Sequence, residues 1–254
     1  MSQKLWEANL SIKNKSNLYK FEKFISRKFN YKPSKNYEKI YNWSIKRNKL
    51  FWSSVWDYTK VKGQKFEKFI FSKEFIKNKF FVNSKLNFAE NLFSKNDCSK
   101  AITFISETGY REERSWIELK QNTSKIINFF ENNKIIKNKD RVAAYIANQI
   151  ETVECFLATS TIGGIWSSCS PDFGTQGLIE RFSQIKPKVL IITDRYYYNG
   201  REINIIERLP AILKKIKSIK TVLIVNYPGK KYLKCKKIKG IKILNFDKIK
   251  KNNH

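Results

Sequence analysis

The sequence has little histidine, cysteine and glycine, and each scarcity excludes a class of site. Its only histidine is the last of 254 residues, so no histidine of a folded core serves as a general base or orients a serine nucleophile. The four cysteines stand far apart without a Cys-x-x-Cys pair, which argues against a zinc site. The nine glycines are scattered. The segment nearest to a phosphate loop, SETGYREER at Ser106–Arg114, lacks the glycine density and the closing lysine.

Long apolar runs are also missing. No run approaches the roughly 18 apolar residues that span a bilayer. The opening residues, MSQKLWEANL, lack the apolar core of a secretory signal. We therefore expect a soluble cytoplasmic protein with no membrane partner. The hydrophobic content of 41% and the aromatic content of 15% argue against disorder.

Acidic residues are outnumbered by basic ones, and the formal net charge is +29. Such a charge suggests nucleic acid as a partner. However, arginine supplies only 9 of the 51 basic residues, and the lysines are spread along the chain together with many asparagines and isoleucines. Phosphate and base recognition favours arginine or a localised basic face. We interpret the charge as a compositional bias, with weak adhesion to polyanions at low salt and no specific nucleic-acid partner.

The first part of the chain, residues 1–96, is dense in aromatics and lysine. Between Tyr37 and Tyr58, tryptophan, phenylalanine and aliphatic residues recur at helical spacing, which predicts one apolar helical face. Shorter helices are predicted near Leu18–Phe29 and Leu86–Phe93. We expect this part to be a helical N-terminal extension and not a free-standing domain.

From Ala101 onward, short apolar runs alternate with amphipathic helices. Strands are predicted at Ala101–Ile105, Arg141–Ala147, Ile165–Ser168, Lys188–Thr193, Thr221–Asn226 and Ile241–Phe246. Helices are predicted from the capping box Ser115–Glu118, from Asn148 as a cap, from Thr175 to the stop at Pro187, and over Ile203–Ile216 with Pro210 inside. Strands joined by single helices form parallel sheets. The predicted fold is therefore α/β, a doubly wound and largely parallel sheet, with a lysine-rich frayed tail, KIKKNNH, after Asp247.

Several segments, in this order and spacing, resemble one family. They are LWE at Leu5–Glu7, Trp43-Ser44, Phe51-Trp52, Val55–Tyr58, LNFAENL at Leu86–Leu92, DRVAAYIAN at Asp140–Asn148, SSCSPDFG at Ser167–Gly174 and the run Arg181–Arg201. Together they are similar to the acetoacetyl-CoA synthetases (acetoacetate–CoA ligases) of the acyl-adenylate-forming, AMP-binding superfamily. The sequence SPDFG at Ser170–Gly174 favours the acetoacetyl-CoA synthetases over the acetyl-CoA synthetases. The resemblance covers nearly the whole chain.

The resemblance implies that residues 97–254 are the first part of a truncated AMP-binding α/β domain. It also implies that residues 1–96 are an N-terminal extension of the acetyl-CoA synthetase type. The family uses ATP and Mg²⁺ to join acetoacetate to coenzyme A, through acetoacetyl-AMP. Its phosphate loop, its adenine- and ribose-binding motifs and its C-terminal lid have no counterpart in this sequence. We therefore assign no catalytic or metal-binding residue. We expect the chain alone to be inactive, with the missing C-terminal part as a possible separate partner.

Two segments are candidate binding sites. In the related acetyl-CoA synthetases, an Arg-x-Gly-Arg loop contacts the nucleotide portion of coenzyme A, and Tyr198, Asn199, Gly200 and Arg201 match it here. Arg201 falls on the second arginine, whose guanidinium suits a phosphate. Tyr198 replaces the first arginine, which weakens phosphate binding but leaves a ring for stacking. An ordinary surface loop between a strand and a helix remains the alternative.

The second candidate is the SSCSPDFG turn. It follows a strand and precedes a helix, so it is predicted at the carboxyl edge of the sheet, where α/β ligands bind. A helix N-terminus there could stabilise an anion, whereas the hydroxyls could equally satisfy a tight turn. Its cysteine, Cys169, has no histidine to activate it, so we expect no catalytic thiol.

Three functions stay open at this point. The first is the N-terminal part of an acetoacetate–CoA ligase, with small-molecule substrates. The second is a non-catalytic module that binds coenzyme A or a nucleotide. The third is a basic nucleic-acid-binding protein, which predicts steeply salt-dependent affinity and no binding of coenzyme A.

Overall fold

The structure is a computed structural model that describes residues 5–247 and residue 249. The chain divides into two compact units, residues 1–86 and 87–254. The domain boundary predicted after residue 96 stays a prediction. Except for Ile249, the predicted frayed tail lies outside the described residues. Across the described part of the chain, no helix combines the length and apolarity needed to cross a membrane.

The first unit begins with short helices, and side chains cap the starts of all but the last of them. They are α1 Leu10–Lys15, α2 Asn17–Ser26, α3 Tyr37–Lys46 and α4 Asn48–Tyr58. The side chains of Asn9, Ser16 and Asn36 accept backbone N–H groups at the starts of α1, α2 and α3. Such caps satisfy amide groups that a helix leaves unpaired. The helical extension is confirmed, and α2 overlaps the predicted helix Leu18–Phe29 but begins one residue earlier and ends three residues earlier.

The apolar pattern over Tyr37–Tyr58 belongs to two helices, so the prediction of one helical face was wrong. At Arg47 the backbone leaves the helical region, with φ −121° and ψ 44°. The break turns α4 relative to α3, and the rings of Trp43 and Phe51 meet edge to face at 6.3 Å. Both pack on a small core of Phe21, Ile25 and Ile40. Burial of these aromatic rings holds the helix pair together.

The rest of the first unit has little regular structure. Isolated antiparallel bridges join Gln64 to Lys85 and Ile70 to Lys79. Between them, a row of phenylalanines stacks against two tryptophans of α4: Trp52, Trp56, Phe69, Phe71, Phe80 and Phe81. Aromatic contacts thus replace hydrogen-bonded elements as the main packing of this segment.

The second unit is an α/β domain. Its helices are α5 Phe88–Leu92, α6 Trp116–Asn132, α7 Ile150–Thr161, α8 Thr175–Ile185 and α9 Leu209–Lys215. Its strands are β1 Lys100–Ile105, β2 Arg111–Ser115, β3 Arg141–Tyr145, β4 Ile165–Cys169, β5 Val189–Thr193, β6 Arg195–Tyr198, β7 Arg201–Asn204, β8 Thr221–Val225 and β9 Lys242–Asn245. Five of them form one sheet in the order β4-β3-β5-β8-β9. Every pairing in it is parallel, as predicted.

Helices cover both faces of this sheet, which makes the domain doubly wound. On one face, Ile126 and Phe130 of α6 and Ala158 of α7 join the buried core. On the other face, residues of α8 and α9, including Phe182 and Ile212, pack into a separate core. The central strands β5 and β8 are buried along their whole length, as expected for parallel strands covered on both sides.

The sequence predicts the residues that cap α6 and α7, and only the prediction for α6 is correct. The capping box is confirmed, because Ser115 and Glu118 exchange hydrogen bonds at the start of α6. The predicted cap Asn148 is displaced by one residue, since Gln149 occupies the cap of α7 without a side-chain capping bond. The Gln149 amide instead donates to the carbonyl of Asn226 at 3.0 Å. A contact distant in sequence therefore overrides the local capping preference.

The segment Ile203–Ile216 is not one helix. Ile203 and Asn204 end strand β7, a 3-10 turn covers Ile206–Arg208, and α9 starts only at Leu209. Pro210 lies in the first turn of α9, where a missing N–H costs nothing, so it does not bend a longer helix.

Candidate functional site

The carboxyl ends of the parallel strands gather three chain segments at one edge of the sheet. The SSCSPDFG turn follows β4, the hairpin of β6 and β7 follows β5, and the segment Tyr227–Leu233 follows β8. Ligands of open α/β sheets bind outside this edge. Both candidate segments predicted from the sequence therefore lie on the edge where a site is expected.

The four predicted residues Tyr198, Asn199, Gly200 and Arg201 form the tip of a β-hairpin and not a loop between a strand and a helix. Tyr198 and Arg201 are the last cross-strand pair. Asn199 and Gly200 both have positive φ, 50° and 75°, as a tight type I′ turn requires. Asn-Gly between two apolar segments is a strong hairpin signal, and this signal in the sequence could have predicted the hairpin.

The hairpin tip presents a ring and a guanidinium to solvent. The Tyr198 side chain is 64% exposed and Arg201 is also exposed. In the described part of the chain, no hydrogen bond or ion pair engages the Arg201 guanidinium. An unengaged guanidinium suits a phosphate oxygen, and an exposed tyrosine ring suits a base. The assignment of these residues to the nucleotide portion of coenzyme A stays a prediction.

One contact at the tip opposes an anion. The backbone N–H of Gly200 donates to the carboxylate of Glu107 at 3.0 Å. This N–H is therefore engaged, and a negative charge lies beside the turn. Glu107 comes from the turn between β1 and β2, a contact that the sequence does not predict. The segment Ser106–Arg114 is thus a hairpin with Gly109 in its turn, which agrees with its exclusion as a phosphate loop.

The side of the hairpin that faces the segment after β8 is aromatic and charged. The rings of Tyr197 and Tyr227 lie 5.2 Å apart, and the Lys230 ammonium lies 5.1 Å from the Tyr197 ring. Tyr197 also donates a short hydrogen bond to the carboxylate of Glu202. That bond, followed by the nearby guanidinium of Arg195, lowers the pKa of Glu202. Glu202 is therefore ionised at neutral pH.

The SSCSPDFG turn is held by two side chains from other elements. The buried Tyr145 hydroxyl lies 2.9 Å from the carbonyl of Pro171 and 2.6 Å from that of Phe173. The Arg208 guanidinium donates to the Tyr145 hydroxyl and to both carbonyls, at 3.1 and 3.2 Å. Sequence reasoning missed Arg208, because nothing local links it to a turn that lies 35 or more residues earlier.

Two polar side chains of this turn bond to each other, and its cysteine is buried. The Ser170 hydroxyl donates to the Asp172 carboxylate at 2.7 Å. Cys169 is buried, and burial raises the pKa of its thiol. A buried thiol with a raised pKa is poorly reactive. Anion binding at the start of α8, where Gly174 is the cap, stays a prediction.

The described residues contain no cluster of candidate metal ligands. Among them, no three histidine, cysteine or carboxylate side chains converge on one point. The two carboxylates at the hairpin, Glu107 and Glu202, already accept hydrogen bonds from Gly200 and Tyr197. No catalytic step is therefore derived for a metal bound by this chain.

Comparison with known proteins decides the family. Residues 94–245 match the family model described as AMP-binding enzyme. The chain belongs to the AMP-binding enzyme family. The match begins just before β1 and ends with β9, so it includes the parallel sheet and the hairpin.

Among AMP-binding enzymes, the chain is similar to acetoacetyl-CoA synthetases. It is 34% identical to the acetoacetyl-coenzyme A synthetase of Rhizobium meliloti (strain 1021) over 226 residues, which are 89% of this chain and 34% of that protein. It is also 34% identical to the Xenopus tropicalis acetoacetyl-CoA synthetase, over 76% of this chain and 29% of that protein. The chain therefore spans about a third of the length of the curated relatives it matches.

A solved structure has the same fold. The acetoacetyl-CoA synthetase from Streptomyces lividans superimposes with a TM-score of 0.88 at 22% identity. The match covers 100% of this chain and 38% of that chain. This comparison confirms the doubly wound α/β architecture with its helical extension.

Proposed function

We propose that this chain forms the N-terminal third of an acetoacetate–CoA ligase and provides its contact to the nucleotide of coenzyme A. The observation that carries the proposal is the hairpin tip, where Tyr198 and Arg201 are paired, exposed and placed at the ligand-binding edge of the sheet. The similarity to acetoacetyl-CoA synthetases supports the choice of acetoacetate as the acid.

The proposed reaction has two steps. Acetoacetate attacks the α-phosphate of ATP, which releases pyrophosphate and gives acetoacetyl-AMP. The thiol of coenzyme A then displaces AMP to form acetoacetyl-CoA. In this scheme ATP and Mg²⁺ bind to residues that the present chain does not supply, whereas Arg201 binds a phosphate of coenzyme A. The enzyme works in the cytoplasm, where ATP and coenzyme A are available.

An exchange assay separates the first step from the second. The isolated chain is expected to show no acetoacetate-dependent exchange of pyrophosphate into ATP. A chimera in which this chain replaces the matching part of the Rhizobium meliloti synthetase is expected to show that exchange and to form acetoacetyl-CoA. Exchange by the isolated chain would refute the assignment of ATP binding to other residues.

The variant Arg201→Ala in the chimera tests the role of the hairpin. Loss of a charge-assisted hydrogen bond to phosphate predicts a KM for coenzyme A about tenfold higher or more. Exchange of pyrophosphate does not involve coenzyme A, so its rate is the internal control and stays unchanged. If the isolated chain binds coenzyme A while the chimera makes no thioester, the non-catalytic binding module becomes the better function.

A further inference from the structure

The Asp194 carboxylate, at the end of β5, is completely buried. It accepts the backbone N–H groups of Tyr227 at 2.8 Å and Leu233 at 3.1 Å. It therefore holds both ends of the segment Tyr227–Leu233. Its own backbone carbonyl accepts the N–H of Ile205 at 2.9 Å, just past the hairpin. One residue thus fixes the base of the hairpin and the ends of the neighbouring segment.

Arg195, the next residue, joins the same two segments directly. Its Nη2 donates to the carbonyl of Lys231 at 2.6 Å and lies 3.2 Å from the Asp194 carboxylate. Its Nη1 donates to Glu202, on the second strand of the hairpin, at 3.1 Å. Only 9% of the Arg195 side chain is exposed. A buried guanidinium with paired carboxylates makes strong, directional hydrogen bonds.

Side chains alternate between the two faces of a strand, and this alternation places Arg195 on a different face of the hairpin from the candidate binding residues. Arg195, Tyr197 and Glu202 lie on one face of the hairpin, because Tyr197 and Glu202 are cross-strand partners. Tyr198 and Arg201 lie on the opposite face. Arg195 therefore holds the hairpin on the face opposite to Tyr198 and Arg201, and it contacts neither of these candidate binding side chains through the pair with Glu202.

We propose that Asp194 and Arg195 are positioning residues, which lock the hairpin to the segment Tyr227–Leu233 and so fix the direction in which Tyr198 and Arg201 meet their ligand. Part of this inference rests on the proposed function, since the ligand is the nucleotide of coenzyme A. The coupling of the hairpin to the segment Tyr227–Leu233 does not depend on the proposed function, because it is a property of the free chain.

Amide hydrogen exchange of the free chain tests the coupling, with peptides covering residues 196–204 and 227–233 as reporters. Replacing Asp194 risks unfolding, because a fully buried carboxylate would lose several partners. The test therefore uses Arg195→Lys and the milder Glu202→Gln, whose side chain is 41% exposed. Both variants are expected to raise exchange about tenfold in both reporter segments, since each removes a charge-assisted hydrogen bond. Peptides of β3 are expected to be unchanged.

The matched control is Lys188→Gln, which removes a 2.6 Å ion pair with Asp140 at the other end of the same sheet. It is expected to leave both reporters unchanged. The decisive observation is the response of residues 227–233 to Arg195→Lys, because Arg195 donates both to the Lys231 carbonyl and to Glu202. Faster exchange confined to residues 196–204 would overturn the proposal.

A calorimetric titration with coenzyme A gives the second result. If the positioning role is right, Arg195→Lys weakens binding about fivefold to tenfold although Arg201 is intact. Unchanged affinity in a variant with faster exchange would overturn the positioning role and leave the proposed function standing. Absence of binding by the unmodified chain would contradict the proposed function, and the exchange result would still decide the coupling.

Discussion

At the scale of single residues, the Tyr145 hydroxyl connects a buried strand to the turn that follows β4. It lies within hydrogen-bonding distance of the Pro171 and Phe173 carbonyls and accepts from Arg208. Burial raises the pKa of Tyr145, so the hydroxyl stays protonated and can donate. One hydroxyl therefore lies within hydrogen-bonding distance of two carbonyls and accepts from the Arg208 guanidinium.

The variant Tyr145→Phe removes this hydroxyl and keeps the ring. Loss of the hydrogen bonds made by the hydroxyl is expected to lower the free energy of unfolding by about 1 kcal/mol, because Arg208 still donates to both carbonyls. The matched control is Tyr41→Phe, whose side chain is 49% exposed and whose replacement is expected to be neutral. Urea denaturation measures both values. Equal stability of the two variants would contradict the structural role of the hydroxyl.

Sequence reasoning names the exposed candidate residues, whose role stays a prediction, but not the residues that hold them. Tyr198 and Arg201 form part of a motif that can be recognised within four positions. Arg195 and Arg208 act through carbonyl groups of Lys231 and Pro171, which lie 36 and 37 positions away. Contacts to a distant backbone leave no pattern in one sequence. Such residues are found only when the fold brings the segments together.

At the scale of elements, the hairpin depends on its turn. Gly200 has φ +75° and an added Cβ would meet no atom within 4 Å, so any cost of a side chain comes from the backbone alone. Gly177 lies inside helix α8, and an added Cβ there would make an ordinary contact with Phe173 at 3.8 Å. The two glycines therefore differ in backbone conformation and not in available space.

This difference predicts opposite effects for the same substitution. Gly200→Ala is expected to destabilise the chain by about 1 kcal/mol, because the left-handed region is unfavourable for alanine. Gly177→Ala is expected to stabilise it by roughly 0.5–1 kcal/mol, because alanine favours helix. Both are measured by chemical denaturation. A change of the same sign at both positions would contradict the assigned turn.

A salt-bridge cluster links helix α4 to the irregular segment of the first unit. The Lys65 ammonium lies 2.7 Å from the Asp57 carboxylate and 2.6 Å from that of Glu67. Hydrogen bonds from Lys65 lower the pKa of both carboxyl groups. The stabilisation is therefore present above the unfolded pKa of about 4 and is lost as pH falls through the lower folded pKa.

The cluster predicts a specific difference in acid. Between about pH 5 and pH 2, the unmodified chain is expected to lose more stability than Lys65→Met, because the variant keeps only the pair between Lys28 and Asp57. The effect is small and decreases with added salt, since the side chains of Asp57 and Glu67 are 35% and 58% exposed. Denaturation midpoints at several pH values measure it. Parallel pH profiles would show that the cluster contributes nothing.

Elements with strong local signals were predicted correctly, and elements that depend on neighbours were not. The capping box at Ser115, the stop after α8 and the buried apolar runs of β5 and β8 follow from short-range physics. The break at Arg47 does not, because it depends on how the two helices pack against each other. The boundary of α9 was missed when the Asn-Gly turn was interpreted as a loop.

At the scale of the whole molecule, the alternation of strands and helices predicts a parallel sheet but not its strand order. The order β4-β3-β5-β8-β9 places β3 and β5 side by side although β4 lies between them in sequence. A crossover of this kind brings the turn after β4 and the hairpin after β5 to the same edge. The candidate site is therefore a product of topology, whereas its chemistry comes from a short motif.

The most direct test of the account is a calorimetric titration of the chain with coenzyme A at physiological salt, where weak adhesion to polyanions is suppressed. We predict saturable one-to-one binding, an affinity about tenfold lower for Arg201→Ala, and no binding of pantetheine, which lacks the nucleotide. Equal affinities of the unmodified chain and Arg201→Ala, or binding of pantetheine as strong as that of coenzyme A, would contradict the account.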